Sequence, residues 1–244
     1  MNYQNDLVCP TCGSVDKDNN TITMNGKEYH CPCKEQKEKA LLYRAERANI
    51  PKEYWHLDME DFKGDKKSLK EINEYIQYID NYYKKGIGLL LWGTHGTGKT
   101  FCTIHVLKEA IKKHYRNVRF TCLSDIVSLF TASWYNDNEK KEFYNKMMET
   151  QFLVIDDVGK EYKTKSNLSE SVFDRVLRYR EHPTIITSNR ALEDIENTYG
   201  ESIASLMYGK LISIRFSGED FRKVEISKQL KDIGKQPMGL ELII

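Results

Sequence analysis

The sequence is short of several features, and each shortage excludes a class of protein. No stretch approaches the ~18 consecutive apolar residues of a membrane-spanning helix, so no contact with a membrane is expected. The opening residues, Met1-Asn2-Tyr3-Gln4-Asn5-Asp6, lack the basic-then-apolar profile of a secretory leader. This points to a cytoplasmic chain whose thiols stay reduced. Charge of one sign is missing too: 37 Lys and Arg face 36 Asp and Glu, a formal net charge of +1. That balance neither demands nor excludes a nucleic-acid partner, which would need local basic patches. Internal repeats and low-complexity segments are absent, which sets aside repeat arrays. What remains is a chain of 244 residues, 40% hydrophobic and 30% charged. It is long enough for one α/β domain with a smaller appendage and too apolar for extended disorder.

If disulfides are excluded, the six cysteines need another explanation. Four of them, Cys9, Cys12, Cys31 and Cys33, form a C-x2-C-x18-C-x-C pattern within the first 33 residues. This is close to a zinc ribbon, although the second pair is tighter than usual. Four thiolates would close a tetrahedral structural Zn2+ site with no open position for catalysis, and His30 is a substitute ligand. A lobe over residues 1–35 has too little apolar surface to fold alone, so metal binding would supply its stability. Within it, Asn25-Gly26 between Thr21–Met24 and Lys27–His30 reads as a small hairpin. The alternative is four unrelated thiols. Cys102 and Cys122 read as buried packing residues.

From Glu35 to Ala48 the pattern suits a charged linker helix, stopped at Asn49-Ile50-Pro51. Strands and helices then alternate. A helix over Leu69–Tyr83 precedes a continuous apolar strand at Gly88–Trp92, and a helix follows from Lys99 to His114. A strand at Val118–Cys122 leads to one or two helices within 124–150 and a strand at Phe152–Asp156. A helix over Leu168–Arg180 and strands at Thr184–Thr187 and Leu211–Arg215 complete the series. The alternation implies α/β architecture: a parallel sheet between helical layers, over about residues 51–226, followed by a tail at 227–244.

Between the first of these strands and its helix stands Gly93-Thr94-His95-Gly96-Thr97-Gly98-Lys99-Thr100, followed by Phe101. It matches G-x-x-x-x-G-K-[ST], the phosphate-binding loop of nucleoside-triphosphatases. Its glycines let successive N–H groups face the phosphates, and the helix start adds positive potential. Lys99 can reach the β- and γ-phosphates of ATP, and Thr100 can ligate Mg2+. About fifty residues on, Asp156-Asp157 closes an apolar strand, where Asp156 can hold Mg2+ and Asp157 can orient or deprotonate the attacking water. Alone, that pair could be a turn before Gly159. Thr187-Ser188-Asn189 ends the next strand, so Asn189 is either a γ-phosphate contact or a helix cap.

Taken together, these stretches resemble the AAA+ ATPases, and within them the DnaC/DnaI helicase loaders and the IstB transposition helpers, of phage or mobile-element type. The matching segments are Gly93–Thr100, Phe152–Gly159, Pro183–Arg190, and the run from Tyr199-Gly200-Glu201 to Arg222, with Ala48–Pro51, Trp55 and Phe62 upstream. They cover roughly residues 48–224. The resemblance implies a P-loop AAA+ fold in which Asn189 is the sensor-1 residue and Arg222 the sensor-2 arginine. It also implies that adenine packs near Trp55 and Phe62, and that the part before residue 48 grips a replicative hexameric helicase. Self-association is a further implied contact. One departure stands out: where the loaders carry an arginine that reaches a neighbouring subunit, this chain has Ile203-Ala204-Ser205-Leu206-Met207. Hydrolysis is therefore expected to be slow unless Arg175, Arg178, Arg180 or Arg215 substitutes.

Lys140, Lys141 and Lys146 lie among Trp134, Tyr135, Phe143 and Tyr144, with Lys160, Lys163 and Lys165 further on. Bases interleaved with aromatics suit single-stranded DNA. The alternative is core aromatics beside a solvated, acid-diluted helix face.

Overall fold

The computed structural model describes residues 21–24, 27–30, 32–113, 115, 117–159 and 167–222. Cys9, Cys12 and Cys31, the lysines at 160, 163 and 165, and the tail at 227–244 lie outside them. The hairpin expected near the N-terminus is present as β1 (Thr21–Met24) antiparallel to β2 (Lys27–His30), with Met24 opposite Lys27. Cys33 falls in the first turn of α1 (Pro32–Arg47). Helix α1 ends where Asn49 takes a left-handed φ of 60° ahead of Ile50-Pro51. Ala48 then accepts a backbone hydrogen bond from Phe120 at 2.7 Å.

The helix expected over Leu69–Tyr83 is two helices, α2 (Lys66–Gln77) and α3 (Ile79–Lys85), parted at Tyr78. Asp65 caps α2 by accepting from the Lys67 N–H at 2.9 Å. Five strands then form one parallel sheet in the order β4-β5-β6-β3-β7: β3 (Gly88–Gly93), β4 (Val118–Cys122), β5 (Phe152–Val158), β6 (Thr184–Ser188) and β7 (Leu211–Phe216). The intervening helices are α4 (Lys99–Lys112), α5 (Leu123–Ala132), α6 (Asp137–Met147), α7 (Leu168–Tyr179), α8 (Leu192–Tyr199) and α9 (Glu201–Lys210).

The continuous apolar run of β3 is explained by burial on both faces. Leu89 and Leu91 turn to one layer, with Val154, Ile185 and Ile214 against Ile72, Ile104 and Leu107. Leu90 turns to the other, with Leu153, Ile155 and Ile186 against Ile126, Phe173 and Val176. From β3 the chain crosses to the far edge at β4 and works back to β6, then places β7 on the other side of β3. The carboxyl ends of β3, β5 and β6 therefore meet where the strand order switches, which is the position of ligand crevices in such sheets.

Candidate nucleotide-binding site

The β3–α4 turn is built from glycines in conformations that side chains resist. Gly93, Gly96 and Gly98 have φ of 142°, 70° and 90°. A Cβ at Gly93 would stand 2.0 Å from the Phe216 carbonyl oxygen, and one at Gly96 1.8 Å from Asp220 Oδ1. Both contacts come from the chain as it returns from β7 across the loop. There the Phe221 N–H donates to the Gly96 carbonyl at 3.0 Å. Within the loop the Thr97 hydroxyl donates to the Thr94 carbonyl at 2.9 Å.

Lys99, only 5% exposed, opens α4 and turns its ammonium into the loop. It donates to the carbonyls of Gly93 (2.9 Å) and Thr94 (2.7 Å) and to Asn189 Oδ1 (2.9 Å). The Asn189 amide in turn donates to Asp157 Oδ1 at 3.2 Å. The Thr100 hydroxyl lies 3.2 and 3.3 Å from the two carboxylate oxygens of Asp156. Thus residues from the ends of three strands converge on one helix N-terminus. Thr100 and Asp156 offer only oxygen donors, the set a hard divalent cation such as Mg2+ prefers.

The loop forms one wall of a cleft of about 670 Å3. His95 to Phe101, Asp157 and Asn189 line it together with Tyr54, Leu57, Phe62, Phe221 and Arg222. Phe62 packs against Phe101 at 5.7 Å between ring centroids and lies over Gly98. Burial raises the Tyr54 phenol above its ordinary pKa, partly opposed by the neighbouring Arg222 guanidinium.

The adenine-side residues expected from sequence separate. Phe62 is in the cleft, but the Trp55 indole turns away, donating to the Ile50 carbonyl at 2.8 Å and lining a different cavity beside Phe120 and Cys122. Its neighbour Tyr54 takes the cleft position. A short 3-10 turn at Lys52–Tyr54 reverses the facing of adjacent residues, which sequence spacing could not reveal.

With this geometry in view, the family can be assigned. The profile of the IstB-like ATP binding protein family matches residues 35–223. The chain belongs to that family. An insertion sequence IS21-like ATP-binding protein of Bacteroides fragilis is 28% identical over 210 residues, spanning 80% of this chain and 76% of its own. The replicative helicase loader DnaI of Bacillus subtilis is 24% identical over 215 residues, 78% of this chain and 67% of its own. Among solved structures, the DnaC helicase loader superposes with a TM-score of 0.58 at 20% identity, covering 68% of this chain and all of that one. The AMPPCP-bound DnaA of Aquifex aeolicus gives 0.51 at 20% identity, covering 72% and 54%. These superpositions establish the AAA+ fold of the IstB-like chain.

Other arginines and lysines of this family member are engaged elsewhere. Buried Arg180 donates to the carbonyls of Met147, Thr150 and Pro183 and to Thr184 Oγ1. Arg178 pairs with Asp174 at 2.7 Å, Arg175 lies over the Phe130 and Tyr179 rings, and Arg215 lies over Trp92. Leu206 packs against the α5/α7 core layer. On α6, Lys140 and Lys146 pair with Asp137 and Glu142, Phe143 is buried and Tyr144 is exposed, as is Trp134 in the 3-10 turn Ser133–Tyr135 before it.

Lys108 was not singled out from the sequence, and its buried ammonium donates to the carbonyls of Trp55 (3.1 Å) and Leu57 and reaches that of Tyr54 (3.5 Å). It thereby pins the strap that brings Tyr54 and Leu57 into the cleft lining. Thr187 was in view only as a neighbour of Asn189.

Proposed function

We propose that the cleft binds ATP with Mg2+ and that the protein is a replicative helicase loader, delivering a hexameric helicase to single-stranded DNA. The carrying observation is the convergence of Lys99, Thr100, Asp156 and Asn189 at one helix start. Lys99 would hold the β- and γ-phosphates, Asn189 would sense the γ-phosphate, and Arg222, which lines the same cleft, would meet it. Thr100 and Asp156 would hold Mg2+, which when bound neutralises phosphate charge. Asp157, tied to Asn189, would orient the attacking water. Phe62 and Tyr54 would flank the base.

Cys9, Cys12, Cys31 and Cys33 would bind one Zn2+ in the lobe that grips the helicase. Metal analysis of the purified chain should return about one zinc per molecule, lost in Cys31→Ser. Exposed Trp134 and Tyr144 beside Lys141 are the proposed contact for single-stranded DNA.

A second reading, a transposition helper that directs a transposase to DNA, is supported by the family profile and by the IS21-like relative. Capture of a purified hexameric helicase by the full chain, lost in Cys31→Ser, supports the loader. Capture of a transposase in its place sinks it. The packing of Leu206 at the arginine position favours slow turnover. If ATP hydrolysis stays at background with helicase and single-stranded DNA present, the protein is a nucleotide-bound helicase adaptor instead.

A further inference from the structure

The β5–β6 ladder contains an irregularity at the two aspartates. Ile155 pairs with Ile186, and the next registered pair is Val158 with Ser188. Three steps along β5 thus oppose two along β6, so Asp156 and Asp157 together face the single residue Thr187. This is a β-bulge. Its effect appears in the side-chain parity. Leu153 and Ile155 point into the α5/α7 layer and Val154 into the α4 layer. Strict alternation would send Asp157 into the apolar α5/α7 layer and Val158 away from it. Instead Val158 is buried in the α5/α7 layer, and Asp157 lines the cleft with Asn189.

The bulge imposes two demands. Asp157 sits at a left-handed φ of 56°, costly for a residue with a Cβ. Its N–H lies in the irregular stretch of the ladder and needs an acceptor inside the protein. The fully buried Thr187 hydroxyl meets both demands. It accepts from the Asp157 N–H at 2.7 Å and donates to Asp156 Oδ1 at 2.7 Å. One hydroxyl thereby ties the backbone of one aspartate to the carboxylate of the other, while Thr100 approaches that same carboxylate from α4.

We infer that Thr187 is a positioning residue: its hydroxyl holds the bulge that aims Asp156 at the cation position and Asp157 at the cleft. The inference rests on the ATP–Mg2+ reading of the site. Its chemical basis is that a carboxylate held by a donated hydrogen bond presents its other lone pairs in a fixed direction, as outer-shell partners do for metal ligands.

The test uses the full chain and a fluorescent ATP analogue, titrated with and without Mg2+. Thr187→Val removes the hydroxyl at nearly constant volume. It should raise the Mg2+ concentration that half-saturates the gain in nucleotide affinity by ~10-fold or more. Mg2+-free affinity should stay within about twofold, because the phosphate loop is untouched. Thr187→Ser should restore the Mg2+ midpoint. Without any nucleotide, the Asp157 amide should exchange with deuterium faster in Thr187→Val than in wild type or Thr187→Ser. If Thr187→Val fails to fold by circular dichroism, Thr187→Ala against Thr187→Ser decides on the same criteria. A wild-type Mg2+ midpoint in the hydroxyl-free variant, or a serine variant as impaired as it, overturns the assignment. Lys99→Ala is measured alongside: full ATP binding there overturns the phosphate-loop reading, whereas its loss with a normal Thr187→Val midpoint overturns only Thr187.

Discussion

The Lys99 ammonium donates to two carbonyls of the loop and to Asn189 beyond the end of β6. A buried ammonium so placed is a ready counter-charge for phosphate, and charge-assisted contacts of this kind are worth ~1.5–3 kcal/mol. Lys99→Ala should therefore weaken ATP binding by roughly 10- to 100-fold, read by calorimetry. A Cβ added at Gly93 would collide with the Phe216 backbone, at a φ of 142° that side chains resist, so Gly93→Ala should lose about 2–4 kcal/mol in urea unfolding. His105, on α4, is buried, and among the described residues its Nδ1 has no hydrogen-bond partner. Burial lowers its pKa below 6.5, only partly opposed by Glu109. The unfolded chain then takes up this proton first as pH falls, so stability is complete above pH 6.5 and declines on acidification below it. His105→Leu should flatten that decline in denaturation midpoints measured between pH 7.5 and 5.5.

The strap from Pro51 to Phe62 and helix α4 act as a pair. α4 supplies the phosphate-loop helix at its start and, through Lys108 further along, the anchor for the Tyr54–Leu57 carbonyls. One helix thus positions both the phosphate loop and the strap residues that line the cleft. Lys108→Met should reduce ATP affinity by about 10-fold through a loosened Tyr54–Leu57 strap, with exposed Lys112→Met as the control. The apolar runs Leu89–Leu91 and Phe152–Ile155 were legible because every residue in them is buried. Helices α8 and α9 were not. Their buried residues Ile195, Tyr199, Ile203 and Met207 form a four-residue series, but Gly200 at φ 87° interrupts it and breaks the sequence pattern of each short helix.

For the molecule as a whole, ligand binding to the native state alone is a stabilising force. Saturating ATP with Mg2+, at ~100 times its Kd, should add about 2.7 kcal/mol and raise the melting midpoint by roughly 5–10 °C. EDTA should cancel much of that gain, and a scan unaffected by ATP would count against the site.

Local chemistry determined much of this protein from the sequence alone. The phosphate loop with its lysine and threonine, the alternation of buried strands with helices, and the carboxylates at a strand end all follow from spacings within a few residues, where sterics and hydrogen-bond geometry act directly. Only the tertiary structure decided which distant groups meet. It set Trp55 outside the cleft and Tyr54 within it, made Lys108 an internal anchor, and placed the Thr187 hydroxyl against both aspartates. Those outcomes depend on strand order and on a one-residue bulge, and a bulge changes side-chain parity without leaving any periodic trace in the chain.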